Sequence, residues 1–184
     1  MELEIKIPVK VIHCNRKKYS LDIQEGDCIS VYGTEYKISI CQVDGYKGGT
    51  ISCIDDKLCI TMEKYQKDMA EQLITLWCKK VGKIIFAKKL EEFSNQMDVS
   101  YHRFVLKDQK TCWGSCSSKN NLNFNWRLLL MPPEIMDYVI VHELSHLVEM
   151  NHSQAFWRVV EQQIPDYKEK RKWLKEHGNE VLRK

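Results

Sequence analysis

Four residues in one short segment could do chemistry together. His142-Glu143-Leu144-Ser145-His146 places two imidazoles four residues apart, with a carboxylate beside the first, and His152 follows after a further five residues. On a helix, residues four apart share a face and stand about 6 Å apart along the axis. Both rings can therefore reach a single zinc ion at about 2 Å. Glu143, adjacent to that face, can take a proton from a water on the ion. The spacing is H-E-x-x-H, and the chemistry it predicts is hydrolysis by zinc-activated water. Upstream, Ile135, Val139, Ile140 and Val141 make the segment apolar, as a buried helix requires.

A catalytic zinc takes three protein ligands and leaves a position for water. Glu149 and His152 both follow closely. Glu149 shares the helical face of His142 and His146 but lies about 10 Å along the axis from His142 if the helix continues. His152 can swing back if Asn151 adopts a left-handed conformation and turns the chain. His152 is therefore the favoured third ligand, with Glu149 a partner for a ligand imidazole or a solvated acid. Tyr138, one turn before His142, is a candidate oxyanion donor or simply a packed tyrosine. Trp113-Gly114-Ser115-Cys116 reads as a cleft rim, its glycine permitting close backbone approach, or as a tight hairpin with Trp113 in the core. On the first reading, Leu122 to Trp126 forms the edge on which an extended peptide is laid. Cys112 and Cys116 lack the further ligands a second metal site needs. Arg127 can pair with a substrate carboxylate, with Asp137 or with Glu134.

These residues must be positioned by the rest of the chain. Its 184 residues suit one domain, expected over residues 1–184 with a β-rich part at 1–60 and a helical, catalytic core at 61–184. Apolar residues make up 43% and charged residues 29%, a balance that excludes a disordered chain. With 28 basic and 25 acidic residues the net charge is +3, so no strong field marks a polyanion binder. No stretch approaches the ~20 apolar residues of a membrane span, and the first residues carry no apolar leader. The expected location is the cytoplasm, with the eight cysteines reduced.

Residues 1–60 alternate in short runs (Val9, Val11 and Ile12; Ile29 and Val31; Tyr36, Ile38 and Ile40) between glycines, which predicts a small antiparallel sheet. From Thr61, a possible cap, apolar residues recur at three and four from Met62 to Met97, which predicts a long helical stretch that Gly82 breaks or only weakens. His102 to Lys107 and Asn121 to Trp126 alternate again around a turn-rich loop. Pro132-Pro133-Glu134 opens the next helix. Ser153 caps another, carrying Phe156 and Trp157, which Pro165 ends. A basic helix closes the chain from Asp166 to about His177.

Thr111-Cys112-Trp113-Gly114-Ser115-Cys116-Ser117, Asn123-Phe124-Asn125-Trp126-Arg127-Leu128, the H-E-x-x-H segment, Asn151-His152-Ser153 and Phe156-Trp157 together resemble the YgjP-like zinc metallopeptidase family. That family is similar to the SprT-like and WLM metallopeptidases. The resemblance is strong over about residues 95 to 177. It implies an α+β fold with a zincin-like core: small antiparallel sheets, a long helical stretch, the active-site helix and C-terminal helices. It also implies zinc held by His142, His146 and His152, with Glu143 as general base and a peptide or protein as substrate. His146-x5-His152 equals the metzincin spacing, but Glu149 occupies the usual glycine position and no Met-turn follows. Two other readings remain open: a metal-dependent nucleotide pyrophosphatase, although no Gly-rich phosphate loop is present, and a DNA-associated protease or binding module.

Overall fold

The computed structural model describes residues 7–9 and 23–183. Its fold is mixed α and β, with two small sheets and four α-helices. Two compact units meet in sequence between Lys80 and Val81.

The first unit is built on a five-stranded sheet of β1 (Ile7–Val9), β2 (Cys28–Val31), β3 (Thr34–Gln42), β4 (Gly49–Ile54) and β5 (Lys57–Met62), in the order β1-β4-β5-β3-β2. Val11 and Ile12 lie outside the described residues. Leu58, Ile60 and Met62 alternate along β5 and are almost fully buried, as are Ile38 and Ile51 on its neighbours. Two-residue loops close the hairpins: Tyr32-Gly33 joins β2 to β3, and Asp55-Asp56 joins β4 to β5. Both central residues have positive φ in each loop, as the twist of a tight hairpin demands.

The sequence predicts an antiparallel sheet, but one pair in it is parallel. β5 lies beside β3 in parallel, with Ile38 opposite Leu58 and Ile40 opposite Ile60. The β4–β5 hairpin docks by its second strand, because that strand carries the buried apolar face. Thr61 and Met62 belong to β5, so neither starts the helix. That helix, α1 (Lys67–Met97), runs unbroken through Gly82 for 31 residues. In the first unit Ala70, Leu73, Ile74 and Trp77 are buried, and the rings of Trp77 and Tyr36 meet edge-on at 5.1 Å.

The second unit begins with the rest of α1, which ends at Asp98 in a left-handed conformation. A three-stranded sheet follows: β6 (Arg103–Lys107), β7 (Gly114–Cys116) and β8 (Asn121–Asn125), in the order β6-β8-β7. Again one pair, β6 with β8, is parallel. β8 is the central strand, not an edge: Leu122 and Phe124 are fully buried, and Phe124 packs on Phe86 of α1 at 5.1 Å. Gly82 has a steric role here. A Cβ on it would stand 3.1 Å from Leu106 Cδ1 and closer still to Leu129 Cδ1. A short 3-10 helix (Trp126–Leu130) leads to α2 (Pro133–Ser145), α3 (Gln154–Gln163) and α4 (Tyr167–Arg183). Pro133 opens α2, and Ser153 caps α3 by accepting from the Phe156 amide at 3.3 Å. None of the described helices is long and apolar enough to cross a membrane.

Candidate metal centre

α2 presents the first half of the site. Ile135, Met136, Val139, Ile140, Val141 and Leu144 are buried, which fixes the rotation of the helix. His142 lies in its last turn and His146 forms its C-cap in a helical conformation. The chain then turns through bonds from the Leu147 amide to the Leu144 carbonyl and from the Val148 and Glu149 amides to the Ser145 carbonyl. Asn151 is not left-handed, contrary to the expectation from the sequence. These successive helical-type bonds bring the chain round without positive φ. The Ser153 cap then starts α3 directly behind His152.

The three imidazoles converge. Nε2 of His142 and Nε2 of His152 are 3.0 Å apart. One nitrogen from each of His142, His146 and His152 lies within 4.8 Å of the others, the one such cluster able to hold a metal ion among the described residues. Two nitrogens at about 2.05 Å from a tetrahedral zinc stand about 3.3 Å apart; His142 and His152 are near that spacing, and the three-histidine donor set suits such an ion once its wider separation closes in. Phe156, fully buried, forms the floor, its ring 4.9 Å from His142, 4.5 Å from His146 and 4.7 Å from His152. His146 is also oriented by its Nδ1–H, which donates to the Glu149 carbonyl at 3.3 Å. The partner is thus the backbone of Glu149, while its carboxylate accepts from the Asn151 amide at 3.4 Å. Nδ1 of His142 is buried without a hydrogen-bond partner among the described residues.

Electrostatics favour the neutral form of His142 and His146, whose lone pairs are then available. Burial, with His146, His152 and Arg171 nearby, pushes His142 down to about 3. Burial lowers His146 as well. Glu143 is 5% exposed, and burial pushes its carboxyl up to about 8. A cation bound close by would bring it back toward the ionised form. Tyr138 packs near His142, ring centroids 6.0 Å apart, and burial raises its hydroxyl to about 12, so it stays protonated.

β7 supplies the wall against Glu143. A Cβ on Gly114 would lie 2.7 Å from Glu143 Cγ and 2.8 Å from its Cδ. The glycine therefore does allow close approach, and the approach is to the carboxylate beside the histidines. Its strand is held by buried Asn125, whose Nδ2 donates to the Gln109 and Cys112 carbonyls at 2.7 and 3.4 Å and whose amide donates to the Trp113 carbonyl at 2.8 Å. Asn123 Nδ2 donates to Ser115 Oγ at 3.1 Å. Trp113 is half-buried and lies against Gly178 of α4. Cys116 faces Glu143, and burial followed by the Glu143 charge raises its thiol. Arg127 is buried, pairs with Asp108 and lies over the Trp126 ring at 4.7 Å. Asp137 instead meets Lys89 at 3.3 Å.

The family model described as YgjP-like, metallopeptidase domain, matches residues 7–177. Among solved structures the chain is similar to the metallopeptidase zymogen of Pyrococcus abyssi abylysin, with 26% identity and a TM-score of 0.45, over 49% of this chain and 93% of that one. No curated protein matches.

Proposed function

This chain belongs to the YgjP-like metallopeptidase family, and we propose that it cleaves peptide bonds with zinc held by His142, His146 and His152 and with Glu143 as the general base. The observation that carries this is the convergence of three ligating nitrogens within 4.8 Å, one helical residue from a buried carboxylate. Bound zinc supplies a Lewis acid that polarises the scissile carbonyl and makes a water acidic at neutral pH. Glu143 then holds the water's proton on its carboxylate and delivers it to the departing amine. Gly114 keeps that carboxylate in place. Tyr138, protonated and on the same helical face as His142, is the oxyanion donor we favour.

β7 is an edge strand of its sheet, and its Gly114 touches Glu143. We place an extended peptide substrate along β7, in the role first assigned to Leu122 to Trp126. The family model runs through both compact units, which supports treating them as one functional domain. We place the chain in a reducing compartment such as the cytoplasm, the setting expected from its eight cysteines. On α4, Lys170 pairs with Asp166 and Lys172 with Glu176, so we rank nucleotides and DNA below peptides as ligands.

The test is cleavage of a mixed peptide library by zinc-loaded protein and by Glu143→Gln. Loss of a general base costs about 10²- to 10⁴-fold in rate, with zinc content unchanged. Equal cleavage by both proteins would overturn the assignment of Glu143.

A further inference from the structure

The basic face of α4 reads in sequence as an ordinary solvated surface, but its residues are not equivalent. Lys170 meets Asp166 at 2.9 Å and Lys172 reaches Glu176 at 4.0 Å. Arg171, exposed between them, has no acidic partner among the described residues. Its neighbour is aromatic: the guanidinium carbon lies 4.7 Å from the centre of the Trp157 ring. Trp157 is itself fixed, stacked on Tyr167 with centroids 5.2 Å apart and planes 13° apart. The same Trp157 ring lies 5.8 Å from His142 and 5.8 Å from His152.

This arrangement differs from a free surface arginine in two ways. The stack limits the positions of the guanidinium before any ligand arrives, so less freedom is lost on binding. The position is also close to the metal centre, since the Trp157 ring that carries the guanidinium lies 5.8 Å from both His142 and His152. A guanidinium lying on an aromatic platform leaves its N–H fork open at the rim. That fork matches a carboxylate in a bidentate way. Given the Trp157 ring between them, about three residues of extended peptide span the distance from Arg171 to the histidines, at about 3.3 Å per residue.

We propose that Arg171 is a specificity-determining residue that binds a carboxylate of the peptide substrate, within a few residues of the scissile bond. The proposal rests on the peptidase reading above. The carboxylate comes either from the peptide's own C-terminus or from an Asp or Glu side chain, and the same chemistry recognises both.

The experiment measures equilibrium binding to zinc-loaded Glu143→Gln protein, which does not consume the peptide. Three peptides of one sequence are compared: free C-terminus without acids, amidated without acids, and amidated with one Glu placed at successive positions. Each is also titrated against the Arg171→Met and Arg171→Lys versions of that protein. Arg171 is expected to favour one carboxylate peptide over the neutral one by roughly tenfold to a hundredfold. Arg171→Met should remove the preference and Arg171→Lys restore part of it. Preference for the free C-terminus assigns the terminal carboxylate, and preference for the Glu peptides assigns a side chain. Equal affinity for all peptides, or a preference that survives Arg171→Met, overturns the proposal. Zinc content is measured on the same samples. Loss of zinc from the parent protein would refute the metallopeptidase reading separately, and unchanged zinc in Arg171→Met shows the centre intact.

Discussion

Substituting Gly114 by alanine tests the link between the small sheet and the chemistry. The added methyl would stand 2.7 Å from Glu143 Cγ and 2.8 Å from Cδ. Two carbons in contact settle at about 3.5–4.0 Å, so the carboxylate must retreat by about 1 Å. It cannot turn freely aside, because Glu143 is 5% exposed. β7 cannot withdraw cheaply either, because Asn125 holds the Trp113 carbonyl and Asn123 holds Ser115. A catalytic group displaced by 1 Å loses about 10²-fold in rate, which corresponds to about 2.7 kcal/mol of barrier. The three atoms nearest the added methyl all belong to Glu143, so zinc stoichiometry should stay at the wild-type level. The assay is kcat/KM on a fluorogenic peptide, with zinc content and a thermal melt on the same preparation. Gly114→Ala with wild-type kcat/KM would refute the claim that this glycine sets the position of Glu143. Lost zinc would show instead that the substitution damages the whole centre.

Burial raises the Glu143 carboxyl to about 8 in the metal-free site, so ionising it there opposes folding. Its contribution is fully favourable below the unfolded value near 4.5 and is lost as pH rises toward 8. Metal-free wild type should therefore lose stability relative to metal-free Glu143→Gln across that window, with a slope approaching about 1.4 kcal/mol per pH unit. Parallel denaturation curves for the two proteins from pH 5 to 8 would contradict this. Gly82→Ala gains helix propensity but drives a methyl into Leu129 and Leu106. We expect a net loss of about 1–2 kcal/mol in a urea melt, and a gain in stability would show that the helix can lift away.

Much of the site was legible in the sequence because it is local. His142 and His146 are joined by helical periodicity, and the Ser153 cap placed α3 correctly. What failed did so for identifiable reasons. The parallel pairings of β3 with β5 and β6 with β8 are long-range choices that alternation does not encode. The left-handed residue expected at Asn151 proved unnecessary because amide bonds to the Leu144 and Ser145 carbonyls turn the chain. Arg171 was missed because charge on a helix face reads as solvation, although its spacing of four from Tyr167 placed it on an aromatic side. Trp157 is half-buried and supports that arginine.

The central claim is that three histidines hold the metal, and metal content tests it most directly. Wild type, His142→Ala, His146→Ala and His152→Ala would be purified without added metal and then titrated with zinc against a competing chelator. The account predicts about one zinc per wild-type chain and a large loss of affinity in each variant, His152→Ala included. Wild-type affinity in His152→Ala would contradict it and turn attention to Glu149 as the third ligand.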